Sequence, residues 1–470
     1  MRNAAQIKQA LKNLIDAKSV IFAQEEMGAY LDEPRRRFHK KALAIVLPKN
    51  VSEVQKIVRF ANEHELVLVP QGGNTGLVGG QVPLFGNEII ISLSRLNRVR
   101  KINVAAGNIV VEAGMILQRL HELVEKDNML FPLTIASKGS AQIGGVLATN
   151  AGGIHALSYG NARELCLGIE AVLADGSLYN GLKYLKKDNS GYDLKNLLIG
   201  SEGTLAIITA ANLKLIKQPI ENETALVALE NVQQAYELFC TIKQKANSKL
   251  SAFEIIPRFG IDILLKHKVI EQQLIKDSSP YYALVEISYF ERGNNDILIG
   301  ELEKAYERGQ IFEGTIYAQS VAEREELWHL REAMSETQSL EGASIKHDVS
   351  VAPQKVPKLI KRGIKAVAKI DKNIRPCPFG HLGDGNIHFN FSQPERANPE
   401  IFLAMSDEIH KAIYDIVIEL DGSISAEHGI GQLKIDLLKQ VKDPVALNMM
   451  QAIKKALDPK HIINRGKVLR

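Results

Sequence analysis

The stretch Leu66-Val67-Leu68-Val69-Pro70-Gln71-Gly72-Gly73-Asn74-Thr75-Gly76-Leu77-Val78-Gly79-Gly80 decides how this chain is read. A short apolar run, the pattern of a strand, ends in a loop whose glycines let consecutive backbone N–H groups converge on an anion without interference from Cβ atoms. The spacing matches neither common phosphate motif. No Lys-Ser/Thr pair follows, as a P-loop requires, and Gly79, Gly80, Pro83 and Gly86 forbid the helix that a Gly-x-Gly-x-x-Gly turn must open. On this segment alone, a mobile glycine-rich linker competes with an anion cradle.

Two further tracts weigh against the linker. Pro132-Leu133-Thr134-Ile135-Ala136-Ser137-Lys138-Gly139-Ser140-Ala141-Gln142-Ile143-Gly144-Gly145 runs on to Ala148-Thr149-Asn150-Ala151-Gly152-Gly153, and Gly200-Ser201-Glu202-Gly203-Thr204 follows later. Three such tracts suit an extended ligand with several phosphates and a planar head. Around them the pattern is mixed. Val54, Ile57, Val58 and Ala61 fall on one face of a helix over 52–63, with Ser52 and Gln55 as a capping box, and 117–125 reads as a second helix. Strands are predicted over 66–69, 87–93, 108–111 and 167–174, the last ending in the Asp175-Gly176 turn.

Beyond Pro219 the glycine clusters vanish, and strand candidates at 224–229 and 282–289 alternate with charged helices at 232–245 and 295–308. Glycines and histidines return past residue 380, and a helix over 444–457 precedes a short tail. The expected class is therefore α+β. The expected domains are 1–217, 218–425 and a C-terminal segment, 426–470.

Composition narrows the function classes. At 470 residues the chain exceeds the ~250–300 at which single cores stop growing, so two or three domains are expected. A net charge of +4 with interspersed signs argues against a nucleic-acid partner. The one basic cluster, Arg35 to Arg37 with Lys40 and Lys41, reads as a solvated turn. Cys166, Cys240 and Cys377 are too dispersed for a CxxC pair, and the N-terminus is an amphipathic helix carrying Lys8, Lys12 and Lys18 with no signal-peptide core. A cytoplasmic protein is expected, or one peripheral to the inner membrane.

The second informative tract is Gly380-His381-Leu382-Gly383-Asp384-Gly385-Asn386-Ile387-His388-Phe389-Asn390-Phe391. Asp384-Gly385 is a preferred two-residue hairpin loop. Centred there, the hairpin opposes His381 directly to His388, with Cβ atoms ~4.5–5.5 Å apart. Alternation places His388 and Asn390 on one face and Phe389 and Phe391 on the other. A hydrogen-bonded surface pair of histidines is the competing reading, but Ser425-Ala426-Glu427-His428-Gly429-Ile430-Gly431 offers a carboxylate, and Gly429 permits a bend that brings Glu427 and His428 to one side. Two imidazoles and a carboxylate with open positions are a ligand set of catalytic Zn, Fe or Mn.

The glycine tracts resemble the FAD-binding domain of the vanillyl-alcohol oxidase/PCMH flavoprotein superfamily, and Asn189 to Thr209 is similar to its Gly-Ser-Glu-Gly-Thr-Leu signature. Ser158 stands before Tyr159-Gly160 where relatives commonly carry a basic residue. The His381 and Glu427 tracts resemble the C-terminal domain of FAD-linked D-2-hydroxy-acid dehydrogenases, most closely the D-2-hydroxyglutarate dehydrogenase group, and the resemblance runs from about residue 40 to the end.

The resemblance implies that Gly72, Gly73, Asn74, Thr75, Gly76 and Gly79 cradle the pyrophosphate of FAD. Pro132, Thr134, Ser137, Gly139, Ser140, Gly144, Gly145, Asn150, Gly153, Glu202, Gly203 and Ile208 would line the ribityl chain and isoalloxazine, and Asn464 would approach the flavin from a tail in which Arg465 replaces the usual Pro. With no His or Cys in the first loop, the FAD is expected to be non-covalent. His381, His388 and Glu427 would bind a divalent metal, zinc first, with His428 as base; Arg331, Ser335, Lys346 and Asn390 would contact substrate carboxylates. Without the resemblance, Arg331 reads as an exposed member of a charged helix and Lys346 as a solvent-facing lysine.

The chemistry expected is oxidation of a small anionic D-2-hydroxy acid, with His428 taking the hydroxyl proton as hydride passes from C2 to flavin N5. Two cationic side chains beyond the metal favour a dicarboxylate such as D-2-hydroxyglutarate or D-malate over D-lactate or glycolate. A quinone, an electron-transfer flavoprotein or a cytochrome would take the electrons, and a homodimer is compatible with the sequence. A metallohydrolase is the rival enzyme class and a nucleotide-binding sensor the rival without catalysis; both leave part of the constellation idle.

Overall fold

A computed structural model of the chain describes residues 4–185, 187–271, 278–293 and 295–470. It divides into two units, the first made of Met1–Gly153, Gly160–Gln218 and Glu427–Arg470, the second of Ile154–Tyr159 and Pro219–Ala426. The segment from Glu427 onward thus belongs to the first unit, and the second unit ends one residue later than the sequence suggests.

In the first unit, Ala44–Val46, Ile89–Ser92 and Leu68–Gln71 form a parallel sheet in that order, with Val20–Ile21 antiparallel at one edge. These strands are buried on both faces, which is why they read as continuous apolar runs. The helix Val51–His64 starts one residue earlier than expected. Its cap is Asn50, which accepts from Glu53 N at 3.0 Å, while Glu53 accepts from Lys49 N at 2.7 Å. Ser52 and Gln55 therefore both lie inside the helix, and Asn50/Glu53 performs the capping. Ile462 and Ile463 from the chain end join this core, and backbone bonds from Leu68 N to Ile462 O and from Asn464 N to Leu68 O lay the tail beside the Leu68 strand.

A second, antiparallel sheet runs Val99–Asn103, Asn108–Glu112, Ile207–Lys214, Cys166–Val172, Leu178–Gly181. No alternation marks the Ile207–Lys214 strand in the sequence, because all but its last residue are buried. The Arg35–Arg37 cluster forms a turn around the buried Glu33 carboxylate, which accepts from Arg35 N and Arg37 N.

The second unit is built on one seven-stranded antiparallel sheet, ordered Ile316–Tyr317, Glu221–Leu229, Tyr281–Tyr289, Leu250–Pro257, Arg375–His381, Asn386–Ser392, Ser344–Ser350. One face carries Phe389 against the helix Val356–Ile370: a Cβ at Gly363 would come within 2.3 Å of the Phe389 ring, so the helix needs glycine there to approach the sheet. The other face carries Leu226, Ala252, Leu284, Cys377 and Phe379, covered by Leu327, Trp328, Leu330 and Met334 of the helix Val321–Thr337. Among the described residues, no helix is long and apolar enough to cross a membrane.

The covered face also buries Glu286, whose carboxylate accepts from Thr224, Trp328 and, through two bonds, Arg324, with His155 at 3.6 Å. Burial alone would raise its pKa, but His155 and Arg324 outweigh that and hold it at about 2. A carboxyl depressed on folding stabilises the fold above its unfolded pKa of ~4.3, by about 3 kcal/mol here, and that contribution disappears as the pH falls toward 2. Acid denaturation should therefore be flatter in Glu286→Gln than in the wild type below about pH 5, with the variant less stable at neutral pH; parallel curves from urea melts across this range would refute the assignment.

Candidate functional site

The hairpin of the second unit places the histidines by a different register from the one the sequence suggests. The loop is Leu382 to Gly385, so His381 pairs with Asn386, and His388 pairs with Phe379 rather than with His381. The longer loop closes because Gly385, at φ +85°, donates to His381 O at 2.9 Å, and Asp384 accepts from Asn386 N at 3.0 Å. The displacement is even, so both imidazoles remain on one face of the pleat. Their ring centroids lie 5.7 Å apart as diagonal neighbours.

The same parity gathers the rest. Asp348 pairs with His388, Lys346 with Asn390, and Glu254 of the neighbouring strand with His381, so all share that face. Glu254, fully buried, meets His381 Nδ1 at 2.5 Å and accepts from Arg331 Nε at 2.6 Å. Burial would raise its carboxyl, yet His381 and Arg331 together hold it at about 2. Asp348 lies 3.9 Å from His388 Nδ1 and accepts from Asn386 at 3.0 Å. Each imidazole thus has a carboxylate on its Nδ1 side, the arrangement that orients histidine for a cation at Nε2. The donor chemistry fits a divalent metal.

Arg331 is buried rather than exposed. Its guanidinium stands 4.9 Å from the centroid of the Phe379 ring, and its described hydrogen bond goes to Glu254. Ser335 follows one turn later on the same helix, and its carbonyl accepts from Lys346 Nζ at 3.4 Å. Asn390 is buried and donates to Gln338 at 2.9 Å. Arg331, Ser335, Lys346 and Asn390 are therefore brought together with the histidines in one unit. Glu427 and His428 open the segment that belongs to the other, and Gly429 after them takes φ +85°.

Sequence reading missed Glu254, Asp348 and Gln338. A signal for the first existed: Glu254 interrupts the apolar run Ala252-Phe253-Glu254-Ile255-Ile256, as Glu286 interrupts its own strand, and a charge in a fully buried strand implies a fixed partner.

In the first unit, the glycine loop nests on the second tract. A Cβ on Gly73 would sit 1.8 Å from Ser140 O, and one on Gly72 would lie 3.5 Å from Gly145 N. Asn74, Asn150, Glu202 and Asn464 all adopt left-handed φ of 49–56°, a backbone that non-glycine residues take at a cost of ~1–3 kcal/mol. Among the described hydrogen bonds, none takes its donor from the backbone N–H of Gly72 through Leu77. Nearby, Asn74 Oδ1 and Gln142 Oε1 are buried without a partner. Open N–H groups with orphaned acceptors beside them suit a phosphate-bearing ligand with hydroxyl donors.

The remaining expected cofactor residues divide by exposure. Pro132, Gly144, Gly153, Gly203 and Ile208 are buried, Thr134, Ser137, Gly145 and Asn150 half-buried, and Gly139 and Ser140 exposed. Glu202 is committed elsewhere: its carboxylate accepts from Ile430 N and Gly431 N at 2.8 Å each, and burial raises its pKa. Asn464 donates to Gly80 O and Glu202 O, so it ties loops together. Lys467, lowered by burial to about 7, gives its three N–H groups to Gly80 O, Val82 O and Asn464 Oδ1. The loop is thus braced from the chain end.

Comparison with known proteins settles the family. Residues 42–181 match the FAD binding domain model, and residues 218–468 match the model of FAD linked oxidases, C-terminal domain. The chain belongs to the FAD-linked oxidase family. Its relatives include the mitochondrial D-2-hydroxyglutarate dehydrogenase of Arabidopsis thaliana, 34% identical over 97% of this chain and 80% of that protein. The D-2-hydroxyglutarate dehydrogenase of Stutzerimonas stutzeri is 32% identical over 97% of both, and that of Rattus norvegicus 37% over 90% of this chain and 78% of its own. Among solved structures, p-cresol methylhydroxylase with substrate bound aligns at a TM-score of 0.77 and 16% identity over 99% of this chain and 96% of that one. Alkyldihydroxyacetonephosphate synthase aligns at 0.74 and 16% over 98% and 85%. At such identity these two speak for the PCMH-like fold alone.

FAD is the cofactor of this FAD-linked oxidase family, and the open N–H groups of the glycine loop suit its phosphates. Gly73→Ala, which forces a Cβ into the Ser140 carbonyl, should emerge with a lower 450-to-280 nm absorbance ratio than the wild type while retaining the far-UV spectrum. Full flavin occupancy in a folded Gly73→Ala protein would contradict the cradle.

Proposed function

We propose that the chain is an FAD-dependent dehydrogenase that oxidises a D-2-hydroxy dicarboxylate, D-2-hydroxyglutarate first, to the 2-oxo acid. The observation that carries this reading is the single sheet face on which His381, His388, Lys346 and Asn390 stand together, with Arg331 of the overlying helix beside them. Relatives 32–37% identical that are named D-2-hydroxyglutarate dehydrogenase support the substrate class.

In this reading Arg331 and Lys346 bind the two substrate carboxylates, Arg331 through the donors left by its bond to Glu254, and Lys346 as a point charge. Asn390 and Ser335 fix the orientation. His381 and His388 hold a divalent cation, zinc first, joined by Glu427. The chain path supports that third ligand: Ala426, covalently next to Glu427, donates to Asp348 O, and Asp348 is the register partner of His388. His428 takes the hydroxyl proton, the role of general base that an imidazole most often fills near neutral pH. When bound, the cation supplies a Lewis acid for the hydroxyl and C1 carboxylate, and the non-covalent flavin accepts the hydride leaving C2.

Anaerobic mixing of the yellow protein with each acid tests the substrate. D-2-hydroxyglutarate should bleach the flavin fully, and D-lactate or glycolate poorly; bleaching by D-lactate alone would reverse the assignment. Removal of metal by a chelator should abolish bleaching and zinc should restore it. His428→Ala should slow flavin reduction by ~10²–10⁴-fold, the usual contribution of a general base, and an unchanged rate would remove His428 from the reaction.

A further inference from the structure

We propose that Glu254 is a positioning residue that holds the metal ligand His381 and the substrate-binding Arg331 in one fixed relation, so that metal binding and carboxylate binding are coupled through a single side chain. The inference rests on the function proposed above. Glu254 is 0% exposed in the strand Leu250–Pro257 and is the register partner of His381, so its backbone cannot shift relative to that histidine without breaking the ladder.

Its two oxygens divide the work. Oε1 meets His381 Nδ1 at 2.5 Å, and Oε2 accepts from Arg331 Nε at 2.6 Å. An ionised carboxylate only accepts, so Nδ1 carries the proton of the Glu254 bond, and Nε2 is the nitrogen left to a cation. Arg331 is pinned between that oxygen and the face of Phe379, which fixes the plane of its guanidinium. This carboxylate joins two groups that the proposed reaction uses differently, one at the cation and one at the substrate. A glutamine has one carbonyl oxygen, so it satisfies one partner and presents N–H groups to the other.

The test uses the FAD-loaded protein, stripped of metal and titrated with zinc against a chromophoric chelator. Glu254→Gln should raise the zinc dissociation constant by ~10–100-fold, the usual loss when the carboxylate behind a metal-bound histidine is removed. At saturating zinc its KM for D-2-hydroxyglutarate should rise by a larger factor than kcat falls, because Arg331 loses its orientation. Unchanged zinc affinity, or weakened zinc with an unchanged KM, overturns the coupling. If Glu254→Gln does not fold, Arg331→Met provides the second arm: although Arg331 is no metal ligand, its loss should change zinc affinity several-fold, and equal affinity overturns the proposal. Wild-type protein that takes up no zinc would instead overturn the metal reading on which Glu254 depends.

Discussion

An ionised carboxylate inside a sheet costs several kcal/mol unless cations and hydrogen-bond donors surround it. The second unit meets that condition twice on one face, at Glu254 and at Glu286. In each case an arginine of the helix Val321–Thr337 supplies charge: Arg324 to Glu286, and Arg331, seven residues on, to Glu254. Seven residues are close to two helical turns, so both arginines leave the same side of the helix. The helix is therefore keyed to the sheet by two ion pairs as well as by Leu327, Leu330 and Met334. Removal of one partner would leave the other charge buried, which fixes the helix in register over the histidine hairpin.

The first unit solves a different problem, that of keeping backbone N–H groups unpaired near the surface of a core. Strand Leu68–Gln71 ends where the glycine loop begins, and the loop cannot collapse onto its own chain because Gly73 is pressed against Ser140. Its far side is held by ammonium and amide groups from the tail, Lys467 and Asn464, bonded to Gly80 O. Left-handed backbone at Asn74, Asn150, Glu202 and Asn464 is strain stored at the points where these segments meet.

Much of this was legible in the sequence because it follows from periods. The helix over 117–125 and the helix over 444–457 match their predicted bounds, the first through the buried stripe Leu117, Leu120 and Val124, the second through Pro444 in its first turn and the Asp443 cap, which accepts from Ala446 N. The glycine tracts marked the first unit, and the two histidines marked the face of the second. Register was harder. Asp384-Gly385 suits a two-residue turn, yet Gly385 is also where the hairpin packs on Val351 O, so a four-residue loop won. That error was harmless because it was even; an odd slip would have turned His388 to the face of Phe389. What stayed hidden were long-range partners. Nothing local tells that Glu254 faces His381, 127 residues away, or that Glu202 is bound by Ile430 and Gly431. The composition of a buried strand shows that a partner must exist without naming it.

Glu202 and Glu254 show why the nature of the partner matters as much as burial. Burial opposes ionisation in both, but Glu254 is answered by His381 and the Arg331 guanidinium and falls to about 2, whereas Glu202 is bonded to two neutral backbone N–H groups, with Lys434 and Lys467 adding a smaller effect, and stays raised. Neutral dipoles satisfy the lone pairs of a carboxylate without cancelling its charge. The consequence is a division of labour between the two sites. Glu254 sits in a hydrogen-bonded ladder and fixes the electrostatics of a histidine. Glu202 clasps the turn just after His428, where Gly429 bends at φ +85°, and fixes a path that no ladder determines. A side chain on a strand inherits its position from neighbouring strands, but one on a turn needs a clamp of its own.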